Sequence, residues 1–369
     1  MHGLCKALVQ KGHEVHVYTT NVDGPGVSNV PLGLPVDIDG VQVTYFPSGL
    51  ARRLYRSPEM GKALDRNIAG FDILHIHAMF LWPGLSASRA AWKHRIPYVV
   101  SPRGMLVPEL IARKSRLVKT AWMSLFDRAM IRRAAAIHVT SPLEATDLAA
   151  LGLHARRIFV IPNGIDVPDW SGEGLLEREN FILYLGRLDP KKSVELLLKS
   201  VEQVPDATLV VAGEGRPDYV KTLKSLGDRT GLKGRVTFPG HLDDTQKWQY
   251  YRRAAVFVLP SISENFANTV LEAMAASCPV VVTPGVGLAE VVARHDCGRV
   301  VPHDADAIAG ALRECLENPS LRERLGANGA AVAQAVFSWG VVGDGYVSAY
   351  SDCLSRGNTR TTQATQVIR

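Results

Sequence analysis

Short runs rich in valine and isoleucine alternate with helix-length segments along this chain, and the alternation runs through twice. In the first half the runs fall near residues 14–20, 41–46, 71–77, 96–101, 135–140 and 157–162. In the second half they fall near 181–186, 207–213, 235–240, 255–261, 279–283 and 298–301. The segments between them, such as KSVELLLKSVEQV, YVKTLKSLGDRTG, ANTVLEAMAAS and ADAIAGALRECLEN, carry apolar residues at helical spacing. Strands apolar on both faces and separated by helices belong to parallel, doubly wound α/β sheets covered on both sides. A length of 369 residues suits two such domains. The expectation is two Rossmann-like domains facing across a cleft, residues 1–165 and 181–335. They are joined by the polar linker DVPDWSGEGLLEREN at 166–180. Residues 336–355 read as a helix packing back on the first domain, and 356–369 lack any apolar period and read as a disordered tail.

The opening segment HGLCKALVQKGHEVHVYTT reads as helix, a stop at Gly12, then strand. A doubly wound domain ordinarily opens with a strand and a glycine-rich turn, so the first strand of this domain is expected to be missing. Composition narrows the class. Hydrophobic residues at 46% and charged residues at 21% exclude a disordered chain. No apolar run reaches the roughly 18 residues of a membrane span. Lys6, Lys11, His13 and Glu14 interrupt the opening residues, so no signal segment is expected, and five scattered cysteines without a CxxC pair suit a reducing, cytoplasmic setting. The charge is uneven: residues 1–166 hold 20 Lys/Arg and 12 Asp/Glu, whereas residues 167–369 hold 22 and 24. A basic first half points to nucleic acid, an anionic membrane surface or an anionic substrate.

Open α/β sheets bind ligands at the carboxyl ends of their strands. After the 181–186 run comes GRLDPKKS, with Arg187 and Lys192 five positions apart across a turn at Pro190. Two cations there can neutralise a diphosphate or can be solvated charges at a helix start; the helix dipole, which a bound anion would complement, favours the first. After the 255–261 run comes SISENFANTVLEAMA, with Glu264 in the loop and Glu272 eight residues on. The helix beginning near Phe266 to Asn268 turns free N–H groups toward the same strand end. The carboxylates can accept sugar hydroxyls, or can be a cap and a surface charge. Weaker candidates are the Gly213–Gly215 pair, His75 and His77 at a strand end, His138 within an apolar strand, Arg103 in SPRG and the NGID turn at 163–166.

Together, in this order, these blocks resemble glycosyltransferase family 4, and the resemblance covers residues 2–355. Its most specific part is SENFANTVLEAMAASCPVVVTPGVGLAEVV at 263–292, with the E-x7-E spacing; GRLDPKKS, VIPNGID, RVTFPGHL and the Gly213–Gly215 turn match further blocks. The resemblance implies a GT-B fold and sugar transfer from a nucleoside-diphosphate sugar to an acceptor hydroxyl with retention. It places that chemistry in cell-surface polysaccharide or glycolipid assembly, with no cofactor and no metal. It assigns Arg187 and Lys192 to the donor diphosphate, Glu264 to the transferred sugar and Glu272 to the ribose. The Asn265, Phe266, Ala267 and Asn268 backbone would close on sugar and phosphate. Leu242 would lie against the base, and Gly213 and Gly215 would line the donor. Arg103 and His77 would lie on the acceptor side. Three positions depart from the family: the opening strand and its glycine loop are missing, Arg103 stands where many members carry His, and Ser193 follows the lysine in place of Gly. An inactive GT-B-like sugar-nucleotide-binding or scaffold protein, favoured by the missing strand, and a two-domain binding protein are the alternatives from other classes.

Residues 111–138 hold Arg113, Lys114, Arg116, Lys119, Arg128, Arg132 and Arg133 against one acid, Asp127, interleaved with Trp122, Met123, Leu125, Phe126 and Met130. Such a segment suits an anionic membrane surface and a lipid-linked acceptor, or is an ordinary helix with Trp122 and Phe126 in the core. The expected setting is therefore cytoplasmic, peripheral on the inner face of the plasma membrane. No nucleic-acid motif is present, and no nucleic-acid partner is expected.

Overall fold

The computed structural model describes residues 1–108, 111, 116–168, 170, 178–229 and 231–355. Arg113 and Lys114 of the basic segment, most of the expected linker (169 and 171–177) and the tail 356–369 lie outside the described residues. The chain forms two compact units: Ile165–Ser338, and Met1–Gly164 together with the helix Trp339–Ser355.

The Ile165–Ser338 unit is built on a six-stranded sheet among the described residues. Its strands lie in the order Val236–Gly240, Thr208–Ala212, Glu179–Leu185, Ala254–Leu259, Val280–Val282, Gly298–Val300, and every neighbouring pair is parallel. In chain order this is 3-2-1-4-5-6, the doubly wound arrangement. All six residues of Ala254–Leu259 are buried, as a strand covered by helices on both faces requires. The order reverses between Glu179–Leu185 and Ala254–Leu259. The loops leaving those two strands are GRLDPKKS and SISENFAN, so the topology itself brings them to one place.

The other unit carries a four-stranded parallel sheet, Leu74–His77, Tyr98–Ser101, Ala136–Val139 and Ile158–Val160. It also carries a three-stranded sheet in which His16–Thr20 runs parallel to Val41–Phe46, and Pro35–Ile38 antiparallel to it. The chain opens on the helix His2–Gln10, as expected. Among the described residues the two sheets stay separate: His16–Thr20 and Leu74–His77 each have a strand bonded on one side only. The helix Trp339–Ser355 packs against His2–Gln10 through Leu4, Leu8, Val342, Tyr346 and Ala349.

The strands expected from apolar runs are all present. The hairpin Val22–Asp23 with Gly26–Val27 and the strand Pro35–Ile38 were not expected; the first is two residues a side, and the second begins on a proline.

Candidate active site

At the switch point of the six-stranded sheet, Asp189 accepts a hydrogen bond from the Lys191 N–H through its side chain and starts the single turn Pro190–Lys192. Ser193 then takes a left-handed conformation (φ 53°) before the helix Val194–Glu202 begins. The family's glycine at this place is replaced by a residue that meets the same backbone demand at some steric cost. Its hydroxyl lies 2.9 Å from His303 Nε2.

This turn folds the Lys192 side chain inward, leaving it 10% exposed, and its ammonium forms an ion pair and hydrogen bond with Glu264 Oε2. Burial lowers the Lys192 pKa, Glu264 opposes that, and the neighbouring charges of Lys191 and Arg187 add to the lowering. Lys192 is therefore not a solvated charge at a helix start. Arg187 is exposed and makes no ion pair among the described residues; its carbonyl accepts the Tyr184 hydroxyl at 3.0 Å. The loop carrying Glu264 is stitched to the lysine turn by the Ile262 N–H donating to the Lys191 carbonyl at 2.9 Å. It is stitched to the following glycine loop by Glu264 N–H to Gly285 O and Gly287 N–H to Glu264 O, both 2.8 Å.

The glycines let these loops approach backbone to backbone. A Cβ on Gly285 would stand 2.1 Å from the Ile262 carbonyl oxygen, and one on Gly287 2.0 Å from that of Asn265. Gly213 (φ 131°) and Gly215 do the same against the arginine turn, at 1.9 Å from Gly186 O and 2.2 Å from Leu188 O. The Gly213–Gly215 pair is therefore a brace for the turn that carries Arg187.

Glu264 is not a helix cap. Ala267 precedes the helix Asn268–Ala275 in a left-handed conformation (φ 74°), without a side-chain cap, and Phe266 and Ala267 are buried. Asn268 opens the helix and is exposed, and Asn265 is half-buried beside Glu264. Glu272 is not a surface charge: its side chain is 19% exposed and accepts from Lys247 Nζ at 3.1 Å and the Tyr251 hydroxyl at 3.0 Å. Leu242 is half-buried in the loop between the strand Val236–Gly240 and the Asp243 cap of the helix Asp244–Arg253.

In the Met1–Gly164 unit a second cluster gathers at the ends of parallel strands. His138 Nε2 lies 2.8 Å from the Ile161 carbonyl, which only accepts, so that nitrogen carries the proton. Burial pushes the His138 pKa down to about 3, so Nδ1 is free to accept from the Ser101 hydroxyl at 2.6 Å. Ser101 in turn accepts from His75 Nε2 at 2.6 Å, and His75 Nδ1 accepts from the Tyr350 hydroxyl at 2.7 Å. The Tyr346 hydroxyl also lies 2.9 Å from His138 Nε2, and with its oxygen sharing that proton one proton order satisfies the row. His77 stacks on His75 with centroids 4.0 Å apart, and its Nδ1 accepts from Arg103 Nε at 3.2 Å. Burial, then His75 and Arg103, hold the His77 pKa well below its usual value, so it is a neutral imidazole with its proton on Nε2.

Arg103 and Gly104 are both left-handed (φ 55° and 72°), and a buried carboxylate fixes them. Glu144 Oε1 accepts the Gly104 N–H at 2.6 Å, while Oε2 accepts the Thr140 N–H at 2.8 Å. Arg103 Nη1 donates to Asn163 Oδ1 at 2.7 Å. Asn163 of the NGID segment thus holds the Arg103 side chain, and Glu144, which no sequence signal singled out, holds the Gly104 N–H beside it. Glu144 follows Ser141 by three in SPLE, a helix-start pattern whose carboxylate here serves a distant loop.

A doubly wound unit with cations and carboxylates at its switch point is an architecture suited to an anionic, hydroxyl-bearing ligand. Two family models match the chain in succession, Glycosyltransferase Family 4 over residues 1–168 and Glycosyl transferases group 1 over 168–332. The chain is 31% identical to the phosphatidyl-myo-inositol mannosyltransferase of Mycolicibacterium smegmatis, over 86% of this chain and 80% of that protein. It is 26% identical to the D-inositol 3-phosphate glycosyltransferase of Xylanimonas cellulosilytica, over 97% and 91%. The solved sucrose-phosphate synthase of Thermosynechococcus elongatus superposes with a TM-score of 0.76 at 25% identity, over 95% of this chain and 92% of that one. Anabaena HepE, solved in complex with UDP-glucose, shares the fold with a TM-score of 0.70 at 20% identity, over 92% and 100%. The fold is GT-B. The chain belongs to the GT4-type glycosyltransferases.

Proposed function

We propose that this glycosyltransferase moves a hexosyl unit from a nucleoside-diphosphate sugar to an acceptor hydroxyl with retention of anomeric configuration, in cell-surface polysaccharide or glycolipid assembly. One observation carries the reading: Lys192, Glu264 and the turn bearing Arg187 are stitched together at the switch point, against the loop that leads into the helix Asn268–Ala275. Arg187, exposed and without an ion pair among the described residues, takes the diphosphate, and Lys192 moves from Glu264 onto a phosphate oxygen when donor binds. That exchange frees the Glu264 carboxylate for the hydroxyls of the transferred sugar. Backbone N–H groups at Asn265, Phe266, Ala267 and Asn268 add to the field on the leaving group. Glu272 takes the ribose, Leu242 the base, and Gly213 and Gly215 the donor side of the arginine turn. No cofactor and no metal enters this scheme. Losing one oriented donor to a developing anion costs roughly 3–4 kcal/mol, so Arg187→Ala should reduce turnover by about 10²–10³-fold.

The working mechanism is front-face: the departing phosphate takes the acceptor proton. Neutral His77, with its proton on Nε2, and Arg103 orient the acceptor. Relatives named for phosphatidyl-myo-inositol and D-inositol 3-phosphate make inositol phosphates and phosphatidylinositol the first acceptors to try. A lipid-linked acceptor also suits the segment 116–133, where Leu117, Val118 and Leu125 are 85%, 69% and 69% exposed beside exposed Arg128, Arg132 and Arg133. Each such cation contributes about 1 kcal/mol at an anionic leaflet.

A thermal-shift panel of UDP, GDP, ADP and their hexose conjugates tests the donor; the true nucleotide raises Tm in proportion to ln(1 + [L]/Kd). An NMR assignment of the product anomer tests retention, and an inverted product rejects it. Pelleting with and without anionic liposomes tests the membrane contact, and indifference to lipid charge ends it.

A further inference from the structure

Both oxygens of Glu272 are met from a single neighbouring helix. Lys247 reaches Oε1 and Tyr251 reaches Oε2. The two donors lie four apart on Asp244–Arg253, hence on one face of it. That helix cannot shift freely. Asp243 and Gln246 close its amino end as a capping box. At the other end the Arg178 guanidinium donates to the carbonyls of Tyr251 and Ala254 at 3.2 and 2.7 Å. Its second arm takes the Ala276 carbonyl at 3.0 Å and that of Ser277. One side chain thus clamps the carboxyl ends of the helix carrying the donors and the helix carrying the acceptor.

Tyr251 is wholly buried, its ring edge-on to Trp248 and Phe257 with centroids 5.9 and 5.6 Å away. Burial and the adjacent carboxylate push its phenol well above the usual range, so it stays a donor. Burial works to lower the Lys247 pKa, but hydrogen bonds to Asp244 and Glu272 outweigh it and the group is held above its usual value. A carboxylate offers about four lone-pair directions. Among the described residues one on each oxygen is taken, which leaves acceptor capacity on both oxygens of a group tied at two points. Two neighbouring acceptors match two neighbouring hydroxyls.

We infer that Lys247 and Tyr251 are positioning residues that hold the Glu272 carboxylate fixed in rotation, so that it reads the vicinal diol of a ribonucleoside diphosphate and discriminates against the 2′-deoxy form. This rests on the reading of Glu272 as the ribose contact. A purely structural tie between the two helices would weaken both nucleotides alike when cut, which separates the two roles.

The experiment is calorimetric titration of the full chain with UDP, GDP and ADP and with their 2′-deoxy counterparts. The wild type should prefer the ribonucleotide by about tenfold or more, because a site built around hydroxyl donors is left with an unmet buried acceptor otherwise. Tyr251→Phe keeps the ring and its packing. It should weaken the ribonucleotide severalfold, leave the deoxynucleotide nearly unchanged, and bring the preference below about threefold. Lys247→Met should act in the same direction, and Lys247→Arg should restore most of the preference. Equal weakening of both nucleotides in Tyr251→Phe, or an undiminished preference, overturns the inference. A wild type that binds ribo and deoxy forms equally overturns it while leaving nucleotide binding intact. A wild type that binds none of the six removes the nucleotide reading and this inference with it.

Discussion

Lys192 and Glu264 compensate each other in a place where neither could stand alone. Removing one partner of such a pair leaves the other charged and partly desolvated, which typically costs more than the pair ever contributes. Lys192→Ala should therefore lower stability by roughly 3 kcal/mol, and adding Glu264→Ala should restore part of that loss. Thermal unfolding of the two single variants and the double variant measures it; additive losses would contradict the pairing. Asp127 is the opposite case. It is 3% exposed, receives hydrogen bonds from the Trp122 indole at 3.2 Å and from the Phe80 N–H, and its Oδ2 has no partner among the described residues. Burial raises its pKa from 3.8 to about 6. A raised acid favours the fold at low pH and loses that advantage as pH climbs through 6. Asp127→Asn should thus stabilise the protein by about 2 kcal/mol at pH 8 and change little below pH 4. Denaturant melts at the two pH values decide it.

At the scale of elements, the loops of the candidate site are positioned by neighbouring backbone as much as by side chains. With a Cβ 1.9 Å from Gly186 O and φ at 131°, Gly213→Ala must move the arginine turn. It should cost well over 1 kcal/mol in thermal unfolding and weaken nucleotide binding. Gly234→Ala serves as the control: its φ is 78° but nothing lies within 4 Å of its Cβ, so only the strain of the left-handed backbone remains. Strands were legible in the sequence because a strand covered on both faces must be apolar throughout, and runs such as AVFVLPS have no other use. The two loops were legible because Arg187, Lys192, Glu264 and Glu272 are unusual residues at the ends of such runs. Their partners were not. Lys192 meets Glu264 across 72 positions, and Arg178 clamps two helices that end 73 to 99 positions away. Glu144 hid inside an ordinary helix-start pattern. The hairpin at 22–27 hid because strands of two residues leave no period to detect.

Across the whole molecule, stability should depend on acid through the histidines of the first unit. His138 falls from 6.5 in an open chain to about 3 in the fold, and burial together with neighbouring cations holds His75 and His77 low as well. A depressed histidine contributes fully above pH 6.5 and loses that contribution as pH falls toward 3, because the unfolded chain takes up protons that the fold refuses. His138 alone should remove roughly 2 kcal/mol between pH 7 and pH 5. The melting temperature should drop over that interval, and His138→Gln should flatten the drop while lowering Tm at pH 7. A flat profile in the wild type would mean that these imidazoles are hydrated.

The Ile165 N–H donates to the Phe337 carbonyl at 2.8 Å, and Ile165 pairs with Ser338 as a parallel bridge. The two ends of the second unit therefore sit side by side, and the first unit is one body interrupted by an insertion. Such a segment behaves as a cassette. Recombination at two codon junctions can replace residues 165–338 with the homologous stretch of another family member without designing a connector. The resulting chimaera retains its own Arg103 cluster while acquiring a foreign switch point.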